Sequence, residues 1–199
     1  ALAALKVQTE GAQLAEDDTQ RRQHALENLN AGIDRATRLV DQLLTLSRLD
    51  GETPAEDLQA IDLQSLLQQA VIDHDSKAQQ AGVELHLQSP ATAVIRQGQP
   101  LLLTLLVRNL LDNAIRYTPA GSRVDLTLTA QSIEIADNGP GVSEEDLARI
   151  GERFYRPPGQ EKAGSGLGLS IVRHIAQLHG MQVRFANQSS GGFIATVSW

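Results

Sequence analysis

The stretch DNGPGVSEEDLARIGERFYRPPGQEKAGSGLGLSIVRHI, Asp137 to Ile175, decides the reading of this chain. Glycine clusters stand toward both ends, and between them lie Arg153, Phe154, Tyr155, Arg156 and Lys162, a basic, aromatic and proline-bearing segment. "DNGPG" follows an alternating, β-branched run, so Asp137 falls at a strand end. An aspartate there can accept a hydrogen bond from an exocyclic amine, while bare glycine backbone lets a flat ring approach. An ordinary strand–helix turn is the competing reading, because Asn-Gly is a common turn choice. "GSGLGLS", Gly164 to Ser170, opens a helix, where phosphates can meet backbone N–H groups and the positive helix end. It is no Walker loop, since no Gly-Lys-Ser/Thr follows, and it lacks the spacing of the dinucleotide fingerprint. The segment between the clusters can close over a triphosphate, with arginine supplying bidentate contacts, or it can be a solvated loop.

Upstream, "RNLLDNAIRY" sets Asn109 and Asn113 four residues apart on one helical face, with Arg116 and Tyr117 a turn later. An asparagine carbonyl is a neutral oxygen ligand that can hold Mg²⁺ while leaving most positions to water and phosphates, the arrangement this ion prefers when it travels with a nucleotide. The competing reading is a pair of exposed or capping amides.

Composition narrows the partners. The 199 residues are 41% hydrophobic and 21% charged, ordinary soluble usage, but only 3% aromatic, so the core must be Leu, Ile, Val and Ala. Net charge is 17 minus 24, or −7, which argues against nucleic acid as a main partner. There is no cysteine, hence no disulfide or thiolate metal site. No apolar run reaches the roughly 18–20 residues that cross a bilayer, and no signal sequence opens the chain. The chain begins without methionine, inside a helix-like pattern, which predicts further sequence upstream.

Along residues 19–49, Leu26, Leu29, Ile33, Ala36, Val40 and Leu43 recur at alternating spacings of three and four, a heptad seam on a long helix. Residues 1–14 read as an earlier helix and "EDDT" as the turn between them, so residues 1–50 predict a helical hairpin that seeks a partner in a bundle or dimer. Gly51 to Asp57, with Pro54 and several acids, predicts a linker. Residues 58–199 then alternate strands and helices. Helices are predicted over 63–81, capped by Asp62 and ended by Gly82, over 101–117 with Pro100 in the first turn, after Ser143, and over 167–179 closed by Gly180. Strands are predicted over 83–87, 92–96, 123–130, 132–137, 183–186 and 193–197. The expected class is α+β: a helical hairpin followed by an α/β sandwich.

Taken in order, the paired amides, Asp-x-Gly-x-Gly, the basic aromatic lid and Gly-x-Gly-x-Gly resemble the nucleotide-binding domain shared by bacterial sensor histidine kinases, Hsp90 chaperones, type II topoisomerases and the mismatch-repair MutL proteins. By that resemblance Asn109 and Asn113 form the N box, Asp137, Gly139 and Gly141 the first glycine box, and Phe154 the F box. Gly164, Gly166, Leu167 and Gly168 form the second glycine box. The resemblance implies ATP as ligand, Asp137 reading the adenine amine, Asn113 binding Mg²⁺, and Asn109 and Arg116 in catalysis, with Tyr117, Arg156 and the lid handling phosphates.

"RATRLVDQLLTLSRLD", Arg35 to Asp50, is similar to the second helix of a sensor kinase's dimerisation and phosphotransfer domain. The resemblance therefore implies a homodimer through the hairpin, a response regulator as partner, and the cytoplasmic domain of a bacterial inner-membrane protein, held to the membrane only by segments absent from this chain. The family's phosphoacceptor histidine would stand just before Ala1. None of His24, His74, His86, His174 and His179 is followed by Glu-Leu-Arg, so this chain is expected to bind nucleotide without phosphorylating itself. His74 and His86 are expected at the surface, and His174 and His179 in helix packing. The alternatives are an ATPase clamp, a protein-serine kinase of the anti-sigma type, or a non-catalytic dimer module.

Overall fold

The computed structural model describes residues 58–160, 162, 164–189 and 191–199, together with positions 20, 23, 26, 27, 29, 30, 32, 33, 37, 40, 42, 44 and 47. The chain divides into two compact units, Ala1–Asp50 and Gly51–Trp199. In the first, every described residue is helical, and Leu26, Ile33, Val40 and Leu44 are exposed. Leu26, Ile33 and Val40 follow one another at heptad spacing, so an apolar stripe stands open along this unit. The helix expected over 1–14, the turn after it, His24 and the linker over 51–57 lie outside the described residues.

The second unit is a two-layer sandwich. Its main sheet holds β2 (Glu84–Gln88), β4 (Arg123–Leu128), β5 (Ser132–Asp137), β6 (Gln182–Asn187) and β7 (Phe193–Ser198), in the order β2-β4-β5-β7-β6. The β2–β4 pair is parallel and the other pairs are antiparallel. A separate antiparallel ribbon joins β1 (Gln59–Asp62) to β3 (Ile95–Gly98). Four helices complete the unit: α1 (Leu63–Ala81), α2 (Pro100–Tyr117), the short α3 (Glu144–Arg149) and α4 (Gly168–Leu178).

Strand parity explains the layers. In β4, β5 and β7 every second residue is buried, giving Val124, Leu126, Leu128, Ile133, Ile135, Phe193, Ala195 and Val197 on one face. Against that face stand the apolar sides of the helices, with Leu67 of α1, Leu106, Leu111 and Ile115 of α2, and Ile171 and Ile175 of α4 fully buried. Each such side chain stabilises the fold by about 1.5–3 kcal/mol relative to exposure. The same parity carries Asp137, the last residue of β5, onto the buried face.

Helix ends follow the expected chemistry. The Asp62 carboxylate accepts the Gln64 amide, and Gly82, with φ +67°, closes α1 in the left-handed conformation. The Ser143 hydroxyl accepts the Asp146 amide at the start of α3. The strand expected over 92–96 begins three residues later, and β1 is additional. The two pair only with each other, and β1, mostly exposed, lacks the period-two burial that reveals a main-sheet strand.

His74 is not at the surface, as expected from sequence, but buried. It lies between α1 and α2, where Nδ1–H donates to the Ala70 carbonyl at 2.7 Å and Nε2 stands 3.6 Å from Asp112 Oδ1. Lys77 donates to the same carboxylate oxygen. The facing Asp112 carboxylate pushes the His74 pKa above its ordinary value, more than burial takes away. Burial alone would push Asp112 upward, but bonds to His74 and Lys77 hold it well below the usual carboxylate range.

The signs follow. A raised histidine pKa contributes stability that is complete below about pH 6.5 and is lost as pH rises through the folded value. A depressed aspartate contributes above its unfolded value near 3.8 and loses its part only in acid. Urea unfolding should therefore give a lower free energy at pH 8 than at pH 6, and His74→Gln should flatten that slope. An unchanged slope in the variant would remove His74 as its source.

Candidate functional site

Four segments meet at one end of the second unit. The C-terminal half of α2 contributes Asn109, Asn113, Arg116 and Tyr117. The loop after β5 contributes Asp137, Gly139 and Gly141, and the lid contributes Phe154 and Arg156. Gly164, Gly166, Leu167 and Gly168 lead into α4.

Backbone proximity draws them together. A Cβ built on Gly139 would lie 2.8 Å from the Tyr117 carbonyl, so the first glycine loop touches the end of α2. One built on Gly168 would lie 3.1 Å from Asn109 Oδ1, and one on Gly164 would lie 3.0 Å from an Arg116 Nη atom and 3.7 Å from Arg156 Nε. The C-terminal half of α2 therefore abuts both the first glycine loop and the start of α4.

Asp137 is only 2% exposed. Its Oδ1 accepts two backbone amides, from Gly139 at 2.8 Å and Phe193 at 3.2 Å. Burial raises its pKa, and those two bonds offset the rise only in part. Its Oδ2 has no hydrogen-bond partner among the described residues. A buried carboxylate with one oxygen locked and the other free is a directional acceptor, suited to a single N–H donor on a flat ring.

Asn109 is buried, and its Nδ2 donates to the Leu105 carbonyl at 2.8 Å, which aims Oδ1 at Gly168. Asn113 is half-buried, one turn on, and its carboxamide has no partner among the described residues. These residues fit a magnesium nucleotide. Asn113 offers a neutral amide oxygen one turn beyond Asn109, and the α4 N-terminus beside Asn109 carries no side-chain cap, so backbone N–H groups are left to meet phosphate oxygens.

The lid is tied down by its own polar groups. Arg156 donates to the carbonyls of Gln160 and Lys162, Lys162 donates to the Arg116 carbonyl, and the Tyr117 hydroxyl donates to Gln160 Oε1 at 2.7 Å. At its near end the Tyr155 hydroxyl donates to Asp146, with the Arg149 guanidinium 4.0 Å above the ring centroid. Phe154 is 61% exposed and holds φ +66°, while its amide donates to the Gly166 carbonyl at 2.9 Å. Gly166 is needed there: a Cβ on it would lie 2.6 Å from the Phe154 carbonyl carbon. Leu167 is fully buried and anchors the second glycine box in the core, so ligand contact at this position is left to its backbone.

Sequence reading placed strands over 183–186 and 193–197, which β6 and β7 bear out, but missed the contact of their connecting turn with the site. Asn187, Gln188 and Phe193 all bond to the first glycine loop or to Asp137. The Asn-x-x-x-Gly-Gly turn was visible in the sequence, but nothing local says which loop it touches.

This arrangement defines a class. Residues 98–199 match the family of histidine kinase-, DNA gyrase B-, and HSP90-like ATPases, and the chain belongs to it. Among particular relatives, the chain is 66% identical over 198 residues to sensor protein QseC of Salmonella typhimurium, covering 100% of this chain and 44% of that protein. The same protein of Escherichia coli is 63% identical over the same length. The solved cytoplasmic segment of histidine kinase QseC is 50% identical with a TM-score of 0.61, covering 84% of this chain and 93% of that one. Full-length ShkA in complex with AMPPNP is 25% identical with a TM-score of 0.74, covering 96% of this chain and 41% of that one. The chain thus spans less than half the length of these two curated relatives.

Proposed function

We propose that this chain is the kinase portion of a bacterial sensor histidine kinase. It binds Mg-ATP and, in the whole protein, serves transfer of the γ-phosphoryl to a histidine nitrogen and then to an aspartate of a response regulator. The observation that carries this is Asp137, with one carboxylate oxygen locked by two backbone amides and the other free, set in one site with Asn113 and the α4 N-terminus. The AMPPNP complex of ShkA, a neighbour over 96% of this chain, supports the nucleotide.

Asp137 reads the adenine amine, and Asn113 offers its carbonyl oxygen to Mg²⁺. Bound there, Mg²⁺ supplies neutralising charge to the phosphates. Asn109 keeps the start of α4 in place, and Arg116, Tyr117 and Arg156 set cations and a hydroxyl on the phosphate side. Catalysis on this plan is positioning and charge stabilisation, with the neutral acceptor histidine as nucleophile.

Two histidines of the chain are engaged in structure, His74 with Asp112 and His179 through both ring nitrogens, so neither suits the acceptor. The open apolar stripe of the first unit supports homodimerisation through the helical hairpin. Among the described residues no helix is long and apolar enough to cross a membrane. The solved neighbour described as a cytoplasmic segment supports the same placement here. ATPase branches of the family share such a site, but similarity to sensor kinases extends over the helical unit as well.

Asn113→Ala tests the metal role. Nucleotide affinity of the wild-type chain should rise on adding Mg²⁺, and the variant should lose most of that gain, about tenfold or 1.4 kcal/mol. An equal gain in both proteins would exclude Asn113 as a ligand.

A further inference from the structure

The β6–β7 hairpin makes contacts that neither phosphate binding nor core packing requires. Asn187 Oδ1 accepts the Val142 amide at 2.9 Å, and Asn187 Nδ2 donates to the Val142 carbonyl at 2.6 Å. This side chain therefore pairs with both the N–H and the C=O of Val142, as a residue of a neighbouring antiparallel strand would, across 45 residues of sequence. Gln188 Nε2 donates to the Asp137 carbonyl at 2.8 Å, and the Phe193 amide donates to Asp137 Oδ1 at 3.2 Å. Gly141, with φ +73°, lies so close that a Cβ on it would stand 2.9 Å from Asn187 Oδ1.

Both ends of the Asp137–Val142 loop are thus held by one hairpin. The orientation of the free Asp137 oxygen depends on the carboxylate plane, and that plane is set by one donor from the loop and one from the hairpin. We infer that Asn187 and Gln188 are positioning residues for base recognition: by fixing the loop at Val142 and at the Asp137 carbonyl, they make the site prefer adenine. This rests on the nucleotide-site reading given above. Asn187 is exposed and Gln188 half-buried, so both can be changed with little effect on the core. An amide is required at Asn187, because only a group with one acceptor and one donor side by side matches the N–H and C=O of one residue. An isosteric carboxylate would turn an oxygen onto the Val142 carbonyl.

The test compares Mg-ADP with Mg-IDP, whose base lacks the exocyclic amine, on the full chain. Asn187→Asp should weaken Mg-ADP about tenfold (about 1.4 kcal/mol) and Mg-IDP by less than about threefold, so that adenine preference falls. Its melting temperature without nucleotide should move by no more than about 4 °C. Gln188→Ala, which removes a single bond, should lower the preference in the same sense by about threefold, and it decides the matter should Asn187→Asp not fold. Unchanged Mg-ADP binding in both variants, or Mg-ADP and Mg-IDP weakened in parallel, would overturn the positioning role. A wild-type chain that binds neither nucleotide would overturn the nucleotide site itself, and the inference with it.

Discussion

Mg-ADP should bind Asp137→Asn at least about 100-fold more weakly than it binds the wild-type chain, a loss of about 2.7 kcal/mol. The substitution preserves shape. Its Oδ1 can still accept the Gly139 and Phe193 amides, which bond the native residue at 2.8 and 3.2 Å. Only the second atom changes, from an acceptor to an N–H donor, and a donor aimed at the adenine amine leaves two buried groups unpaired. Folding should not suffer. Burial raises the Asp137 pKa, so the native carboxylate is a burden on the apo fold above that pKa, and a neutral amide relieves it. Melting without nucleotide should therefore stay level or rise while binding is lost. A fall in both together would assign Asp137 a structural role instead.

Gly192→Ala should have the largest effect on stability. Gly192 holds φ +100°, and a Cβ there would lie 1.9 Å from the Asp137 carbonyl oxygen, a backbone atom with no rotamer to move away. Left-handed strain costs roughly 1–2 kcal/mol, and forcing two packed backbones apart costs about 1–3 kcal/mol more. The expected loss is about 4 kcal/mol, seen as a melting temperature lower by about 10 °C or more. Nucleotide binding should go with it, because the displaced strand supplies the Phe193 amide to Asp137. Gly191→Ala is the control: its Cβ would meet nothing within 4 Å, although φ is +89°. Equal losses at both glycines would leave backbone strain, not contact with Asp137, as the cause.

The candidate site's segments could be picked out in the sequence because their residues come in local clusters at helical or turn spacing. Asn109, Asn113 and Arg116 share one side of α2, and Asp137 closes a strand whose alternation fixes its direction. The helices were legible for the same reason, down to the Asp62 and Gly82 caps. What escaped were partnerships between distant segments. His74 looked like a surface polar residue because its partner, Asp112, lies 38 positions further on in another helix. Asn187 and Gln188 sit in an ordinary polar turn, and their meaning comes only from the loop 45 to 51 residues earlier that they hold. Strand β1 escaped because a ribbon of two strands outside the main sheet has little burial to betray it.

Direct calorimetric titration of the wild-type chain with Mg-ATP, beside Asp137→Ala, tests the central claim. The account predicts one site per chain with micromolar-scale affinity, collapsing in the variant. A folded wild-type chain that takes up no nucleotide, or a variant that binds as tightly, would contradict it.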